Sequence, residues 1–432
     1  MVSLFSAILA VAYLSFGFGK FFVITDLHYD IGYNSSYNST YYCHSMSILN
    51  QTLPPSPSAD IQPVIRPFCD SSLNIINITL QQMQSVDPNP EFIMVTGDSI
   101  GHFTTSFISS NGDFNPLENI ELFKKSFVDI SKLIYQYFPK TQIIPMIGNN
   151  DAYQDYKMPT GWDKLDYIDF LYSIWKPLVG QISSTFFTDG YYNTKTSISG
   201  YNVIVLNTMY FDNTPDGSVI QGQIEILWLK NQLNSNSKNI ITMHIPPGFA
   251  LYNGGSQSWS DYFTKSFMSL VQEYQSKIVG IFAGHYHSGY FQLIGQVPVI
   301  INPSISPIFG NNPAFRYYDL DNNDYTEFTF NAFNPSNTWY NSTFSSVYGY
   351  PMNYTRLYDD IDSGKVTINN YLQRLTGYWI LSSYNQTTMC NIIYGKACND
   401  PSNLQTITTC GIMHHISTEY YSCLQNSLSN FS

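Results

Sequence analysis

Short apolar runs that stop on polar, often glycine-bearing turns recur along the chain, with helix-periodic stretches between them. "KFFVIT" (20–25), "EFIMVTGD" (91–98), residues 141–147, "NIITMH" (239–244) and "KIVGIFAGH" (277–285) have the length and composition of buried strands. Residues 71–86, 117–137, 163–177, 223–233 and 261–276 repeat apolar positions at helical spacing and predict amphipathic helices. Residues 184–207 read as two or three strands, and further strands fall near 289–302 and 315–330. Strand–helix alternation of this kind predicts a layered α/β fold. Residues 31–68, rich in Tyr, Asn, Ser and Pro, read as a long loop. Beyond about Asn334 the pattern changes to short helical segments carrying four cysteines, which predicts a main domain over 20–333 and a helical C-terminal region over 334–432.

The first 19 residues form an apolar run ending in small residues, as in a secretory signal peptide. No basic residue precedes the run, so an N-terminal anchor is the competing reading. No other apolar run approaches the roughly 20 residues of a membrane-spanning helix, so no stable membrane insertion is expected. Sequons at Asn34, Asn38, Asn50, Asn77, Asn341, Asn353, Asn385 and Asn430 fit a glycosylated, exported chain. Six cysteines, Cys43 and Cys69 early and Cys390, Cys398, Cys410 and Cys423 late, fit disulfides of an oxidising compartment. A zinc finger is excluded because no C-x₂-C pair is present. The expected location is secreted or lysosome-like. A net charge of −12 argues against a nucleic-acid partner, since phosphate backbones attract basic surfaces.

Five polar clusters each follow a predicted strand: Asp26-Leu27-His28, Gly97-Asp98, Gly148-Asn149-Asn150-Asp151, His244, and Gly284-His285-Tyr286-His287. Strand ends in open α/β sheets converge on one crevice, so these groups can meet although distant in sequence. Together they offer two carboxylates, an amide oxygen and four imidazoles, a donor set suited to two divalent ions such as Zn, Mn or Fe. Two such ions can clamp phosphate oxygens for in-line displacement by a hydroxide. Residues i and i+2 of an extended segment project to one side, so both liganding residues of D-x-H, and both of H-x-H, are expected to reach one metal site. Taken singly each cluster has a plain alternative: a capped turn for D-x-H, a turn for Gly-Asp, a core histidine for His244. All five in this order are hard to obtain by chance.

The series D-x-H, GD, GN-x-D, H and GH-x-H resembles the calcineurin-like metallophosphoesterases. "GDSIGH", "HIPPG", "GHYHSGYF" and "NPSISPIFGNNPAFRYYDLD" are similar to segments of the acid sphingomyelinase-like phosphodiesterases, and the resemblance runs from about 21 to 330. It implies a four-layer α/β sandwich of two mixed sheets flanked by helices, with a small helical C-terminal region. It also implies two zinc ions, one held by Asp26, His28 and His287, the other by Asn149, His244 and His285, with Asp98 bridging. His102, the last residue of "GDSIGH", is implied to lie beside the substrate phosphate. Disulfides Cys43–Cys69, Cys390–Cys398 and Cys410–Cys423 are implied in the same way. His44, His414 and His415 are left as structural or surface residues. Tyr153, Tyr286 and Tyr290 stand near motifs, where they would either line a base- or choline-binding pocket or simply pack.

Two departures from the family bear on substrate. No saposin-like segment precedes the first strand, which lowers the expectation of a membrane substrate. Asn150 stands where most relatives carry the histidine of "GNH(D/E)"; endopolyphosphatase-like relatives also read "GNND". A histidine can protonate a leaving oxygen and an amide cannot. Expelling a ceramide-like alkoxide, with conjugate-acid pKa near roughly 16, needs that proton. Expelling a phosphate, whose second ionisation lies near pKa ~6, needs little help. The expected activity is therefore a monomeric hydrolase of small soluble phosphorylated substrates: nucleotides, CDP-alcohols or polyphosphate. The alternatives are a phospholipase-C-like sphingomyelin phosphodiesterase and an inactive glycoprotein that binds phosphorylated ligands, the last disfavoured by the complete ligand set.

Overall fold

The computed structural model describes residues 19–36, 43–44, 65–102, 116–196, 199–212, 219–250, 256–331, 338–375 and 404–427. Residues 1–18 of the leader, Cys390, Cys398, and the sequons at Asn38, Asn50, Asn385 and Asn430 lie outside them. Among the described residues no helix is long and apolar enough to cross a membrane.

Among the described residues, twelve strands form two six-stranded mixed sheets. The first contains β1 (Lys20–Ile24), β2 (Phe92–Val95), β3 (Gln142–Pro145), β10 (Ala314–Asp319), β11 (Asp324–Phe330) and β12 (Trp339–Thr343), in the order β12-β11-β10-β1-β2-β3. The second contains β4 (Tyr192–Lys195), β5 (Asn202–Val205), β6 (Asn239–Thr242), β7 (Ile278–Ala283), β8 (Phe291–Ile294) and β9 (Val297–Ile301), in the order β4-β5-β6-β7-β9-β8. β1, β2 and β3 run parallel, as do β5, β6 and β7, so each sheet presents a row of neighbouring carboxyl ends, out to the edge strand β3 in the first sheet. These central strands are apolar almost throughout because both faces are covered. Phe21 of β1 stacks on Phe92 at 4.4 Å and Tyr318 at 5.3 Å, and meets Phe282 of the other sheet edge-on at 5.6 Å. Burying one such ring contributes about 1.5–3 kcal/mol, so this seam locks the two sheets together.

Helices α1 (Leu73–Val86), α2 (Pro116–Tyr137), α3 (Gly161–Val179), α4 (Phe186–Asp189), α5 (Val219–Leu233) and α6 (Asp261–Glu273) supply the connections. Residues 184–207 hold two strands, within the expected two or three, together with the short helix α4. One expectation changes. The chain beyond 334 does not begin as helix: β12 pairs with β11 from Thr326↔Thr343 to Phe330↔Trp339 and completes the first sheet. Its residues are half-buried or exposed on both faces, so the alternation that marks a one-sided strand is missing. The helical remainder includes Leu404–Met413 and Ser417–Ser427, joined by the Cys410–Cys423 disulfide. It is fastened to the second sheet's side of the molecule by Tyr420 stacked on Phe249 at 4.1 Å and by Ser417 Oγ donating to Asp261 at 2.6 Å. Cys43 and Cys69 form the other described disulfide.

Candidate metal centre

The functional residue or residues of each polar cluster stand two to five residues past one of these parallel strands, and the two rows of strand ends bring the clusters together. Asp26 and His28 follow β1, Asp98 follows β2, Asn149 and Asn150 follow β3, His244 follows β6, and His285 and His287 follow β7. His285 is half-buried; the others are buried. Five of them, Asp26, His28, Asp98, His285 and His287, have φ between 42° and 71°. The expectation that D-x-H and H-x-H project from extended backbone is thus corrected: the segments turn through the left-handed region. Non-glycine residues rarely adopt it, and such conformations concentrate at functional sites. Two glycines make room for this packing. A Cβ at Gly148 would collide with the Asp98 side chain and backbone, and one at Gly284 with Thr25 Oγ1 and Asp26.

Two sets of donors result. Asp26 Oδ1 lies 3.2 Å from His287 Nε2 and 3.7 Å from His28 Nε2, and the two imidazole nitrogens are 3.0 Å apart. In the second set, His244 Nε2 lies 3.0 Å from Asn149 Oδ1 and 3.2 Å from Asp98 Oδ2, with a nitrogen of His285 close by. Asp98 Oδ2 is also 3.5 Å from His28 Nε2, so one carboxylate oxygen faces both sets. At metal–ligand distances of roughly 2.1 Å, ligands of a tetrahedral ion stand about 3.4 Å apart. The observed separations bracket that value, and the donor set fits two divalent ions.

Neighbouring hydrogen bonds fix the direction in which these donors point. His28 Nδ1 faces the Ile100 carbonyl at 3.2 Å and His244 Nδ1 the Thr96 carbonyl at 2.8 Å, which assigns the N–H to Nδ1 and turns the Nε2 lone pair inward. Asp26 Oδ2 accepts from Thr25 Oγ1 at 2.6 Å, and the His285 amide is shared between Oδ2 at 2.9 Å and Oδ1 at 3.2 Å, with Oδ1 turned toward His287 and His28. Asn149 Nδ2 donates to Asp155 Oδ1 at 2.9 Å, so the amide oxygen is the end that faces His244. Asp151 accepts from the amides of Gly148, Ser99 and Ile100 and ties the β2 and β3 turns together.

Protonation demands inside the cluster conflict. Burial would raise the Asp26 carboxyl, yet His287, His28 and His244 hold it well below the usual range. Burial opposes a charged His244, but Asp98 outweighs it and pushes the pKa up to about 9. Burial, then the charge of His244, pushes His285 down to about 3. Buried imidazoles and carboxylates that cannot all take their preferred charge are a setting in which a cation replaces protons.

His102 stacks on His28 with ring centroids 4.2 Å apart, and its Nδ1 meets Asp70 Oδ1 at 2.8 Å. Burial alone would lower the His102 pKa; the Asp70 carboxylate reverses this and raises it. Asn150 donates from its backbone to Asp98 Oδ1 at 2.8 Å and from Nδ2 to Asp98 Oδ2 at 2.9 Å. Phe309, half-exposed, stands edge-on to His287 at 4.6 Å and to His102 at 6.2 Å. Strand-end logic misses Asp70, Asp155 and Phe309, which lie on connecting loops; only the short offset of Asp70 from Cys69, and of Asp155 from Asn149, could have pointed to two of them. Tyr286 and Tyr290 are buried and Tyr153 packs on Phe123 and Tyr167, so all three serve packing rather than a pocket. His44 is buried on Asp30 at 2.7 Å, and His415 is buried with Nε2 on the Leu293 carbonyl at 2.7 Å, both structural.

Known proteins are similar to this chain in sequence. The family model of the calcineurin-like phosphoesterases matches residues 19–289. The human (Homo sapiens) acid sphingomyelinase-like phosphodiesterase 3b is 28% identical over 327 residues, covering 70% of this chain and 68% of that protein. Sphingomyelinase phosphodiesterase D of Dictyostelium discoideum is 27% identical over 336 residues, covering 71% and 70%. The cyclic GMP-AMP phosphodiesterase SMPDL3A of Mus musculus is 24% identical over 440 residues, covering 95% and 92%. The chain belongs to the calcineurin-like phosphoesterase family and is a metal-dependent phosphodiesterase, similar to the acid sphingomyelinase-like phosphodiesterases.

Proposed function

We propose that the chain hydrolyses phosphoanhydrides and phosphodiesters of soluble substrates, such as nucleotides, CDP-alcohols or polyphosphate. Asp26, His28 and His287 would hold one ion, Asn149, His244 and His285 the other, and Asp98 both; the imidazole-rich donor set favours zinc. Two bound ions supply Lewis-acid polarisation of phosphoryl oxygens and a nucleophile at neutral pH. The chain's own residues orient the substrate and its charge. His102, held through Nδ1 by Asp70, would stabilise the charge that develops on a phosphoryl oxygen.

The observation that carries the substrate preference is Asn150. Its side chain is not ionisable and donates to Asp98, so it positions that carboxylate and gives no proton to a departing alkoxide. Leaving groups that are already weak bases, phosphates and nucleoside phosphates, are the ones such a site expels unaided. The relative named for cyclic GMP-AMP supports a nucleotide phosphodiester among the substrates. Sphingomyelin is the second reading, favoured by the relative named for it and by the half-exposed apolar ring of Phe309 above the site.

We take the chain to be secreted or held in an acidic organelle, to be a monomer, and to carry glycans at exposed sequons such as Asn34, Asn341 and Asn353. The two described disulfides support the oxidising compartment. Zinc-loaded protein should release phosphate or nucleoside monophosphate from ATP or a CDP-alcohol faster than phosphocholine from sphingomyelin. A sphingomyelin rate equal to or above the nucleotide rate would sink the leaving-group reasoning.

A further inference from the structure

The turn after the asparagine pair serves the metal centre with one side and walls a separate cavity with the other. Its backbone closes on itself: the Tyr156 amide donates to the Asn149 carbonyl at 3.2 Å and the Lys157 amide to the Gln154 carbonyl at 3.0 Å. Tyr156 has φ 58°, a left-handed conformation that a tyrosine keeps only where its surroundings hold it. That conformation sets the Tyr156 hydroxyl 3.3 Å from His285 Nε2, while the same residue lines a cavity of ≈ 230 Å³. The cavity has room for about seven or eight waters at ~30 Å³ each, the scale of one ring system rather than of a whole nucleotide.

The walls select by shape and neutral hydrogen bonding rather than by charge. Lys164 lines the cavity but is bonded to Asp189 Oδ1 at 2.6 Å, and the Tyr210 hydroxyl donates to the same oxygen at 3.3 Å; Lys157 is engaged as well. No free positive charge is left to select an anion, and among the described residues no carboxylate lines the cavity to hold a cation such as choline. The rings of Tyr156 and Tyr210 and the thioethers of Met158 and Met209 supply the broad surfaces, and Met209 and Tyr210 are buried. Aromatic rings and polarisable sulfurs pack well on the face of another ring. The Thr160 hydroxyl and the Gln221 amide add neutral donors and acceptors to the same cavity. Thr160 stands at the cap of α3 yet makes no side-chain hydrogen bond there, so its hydroxyl is not committed to the helix. An alkyl chain would cover that hydroxyl and the amide without giving them partners, which is unfavourable; a nucleobase offers a flat face to the rings and thioethers and a hydrogen-bonding edge to Thr160 and Gln221.

We propose that this cavity is the subsite for the base of a nucleotide substrate, with Tyr156 as the wall shared by the base and the metal centre. The phosphates then lie at the centre and the base on the far side of Tyr156. The inference rests on the reading of the centre as one that hydrolyses nucleotides, and it names the residues that choose them over base-free phosphoanhydrides. Both are tested by steady-state kinetics of zinc-loaded full chain on ATP, CTP and inorganic tripolyphosphate, which carries a phosphate chain without a base. Wild type is compared with Gln221→Ala, which removes a partner for the base edge, and with Gln221→Trp, which fills the cavity; thermal melting checks that both fold.

Wild type should show a KM for ATP or CTP about 10-fold or more below that for tripolyphosphate, the scale of stacking one base. Gln221→Trp should raise the nucleotide KM until its ratio to the tripolyphosphate KM approaches one, and Gln221→Ala should raise that ratio about threefold or more. A shift for ATP alone or for CTP alone also supports the subsite and assigns it to purines or to pyrimidines. Equal KM for all three substrates in wild type, turnover of tripolyphosphate alone, or a KM ratio that neither variant moves overturns the subsite while leaving the phosphoanhydride reading intact. No wild-type turnover of any of the three removes that reading and the subsite with it.

Discussion

Replacing Asn150 by histidine restores a group able to give a proton to the leaving oxygen. The backbone amide at this position donates to Asp98 Oδ1 at 2.8 Å and is untouched by the change. The lost Nδ2 donor to Asp98 Oδ2, now at 2.9 Å, is replaceable by an imidazole N–H on the same side. If the ring cannot reach, a hydrogen bond to a charged group is forfeited, about 1.5–3 kcal/mol. Crowding in a fully buried turn costs about 1–3 kcal/mol more, so fold retention is checked by thermal melting. General-acid assistance contributes roughly 10²–10⁴-fold when the leaving group is a strong base and almost nothing when it is a phosphate. The assay compares phosphocholine release from sphingomyelin in mixed micelles with phosphate release from ATP, for Asn150→His and wild type. The sphingomyelin rate should rise by about 10²-fold while the ATP rate stays within about threefold. An equal gain on both substrates, or none on sphingomyelin in a folded, metal-loaded variant, would refute the leaving-group account.

Two further outcomes follow from the surrounding hydrogen bonds. Asp155→Ala removes the acceptor that keeps Asn149 Nδ2 away from the centre, so affinity for the ion held by Asn149, His244 and His285 should fall about 10–100-fold in chelator competition, with Asp155→Asn largely restoring it. Glu225 is fully buried, with Oε1 accepting from the Asn207 amide at 2.7 Å, and burial raises its pKa well above that of an ordinary glutamate. The folded state therefore binds the proton more tightly than the unfolded one. That contribution is complete below the unfolded pKa of ~4.3 and is lost by up to ~1.4 kcal/mol per pH unit as pH rises toward the folded pKa. Glu225→Gln should thus melt at a higher temperature than wild type at pH 8 and at nearly the same temperature at pH 4; equal melting curves at pH 8 would contradict this.

Much of the fold was legible because buried central strands leave a plain trace: "KFFVIT", "EFIMVTGD" and "NIITMH" are apolar runs, and each stops where its polar cluster begins. β12 left no such trace, since an edge strand exposed on both faces, "WYNST", has no alternation to read. The site was legible in residue type and order but not in local geometry. Left-handed backbone at Asp26, His28, Asp98, His285 and His287 is imposed by long-range contacts, such as the His28 amide bonded to the Asp98 carbonyl at 2.9 Å, which no local propensity encodes. Asp70 and Asp155 were hidden for a related reason. They act on His102 and Asn149 from loops whose course is set by tertiary packing, and a lone aspartate in a polar loop carries no periodic signal.

The central claim is that seven side chains from two sheets form one dinuclear site with Asp98 shared between the ions. Elemental analysis of purified chain after zinc loading and dialysis tests it most directly. Wild type should retain two zinc ions per chain, and Asp98→Asn should lose at least one of them together with phosphodiesterase turnover. Full turnover by Asp98→Asn, or by wild type carrying no more than one ion, would contradict the account.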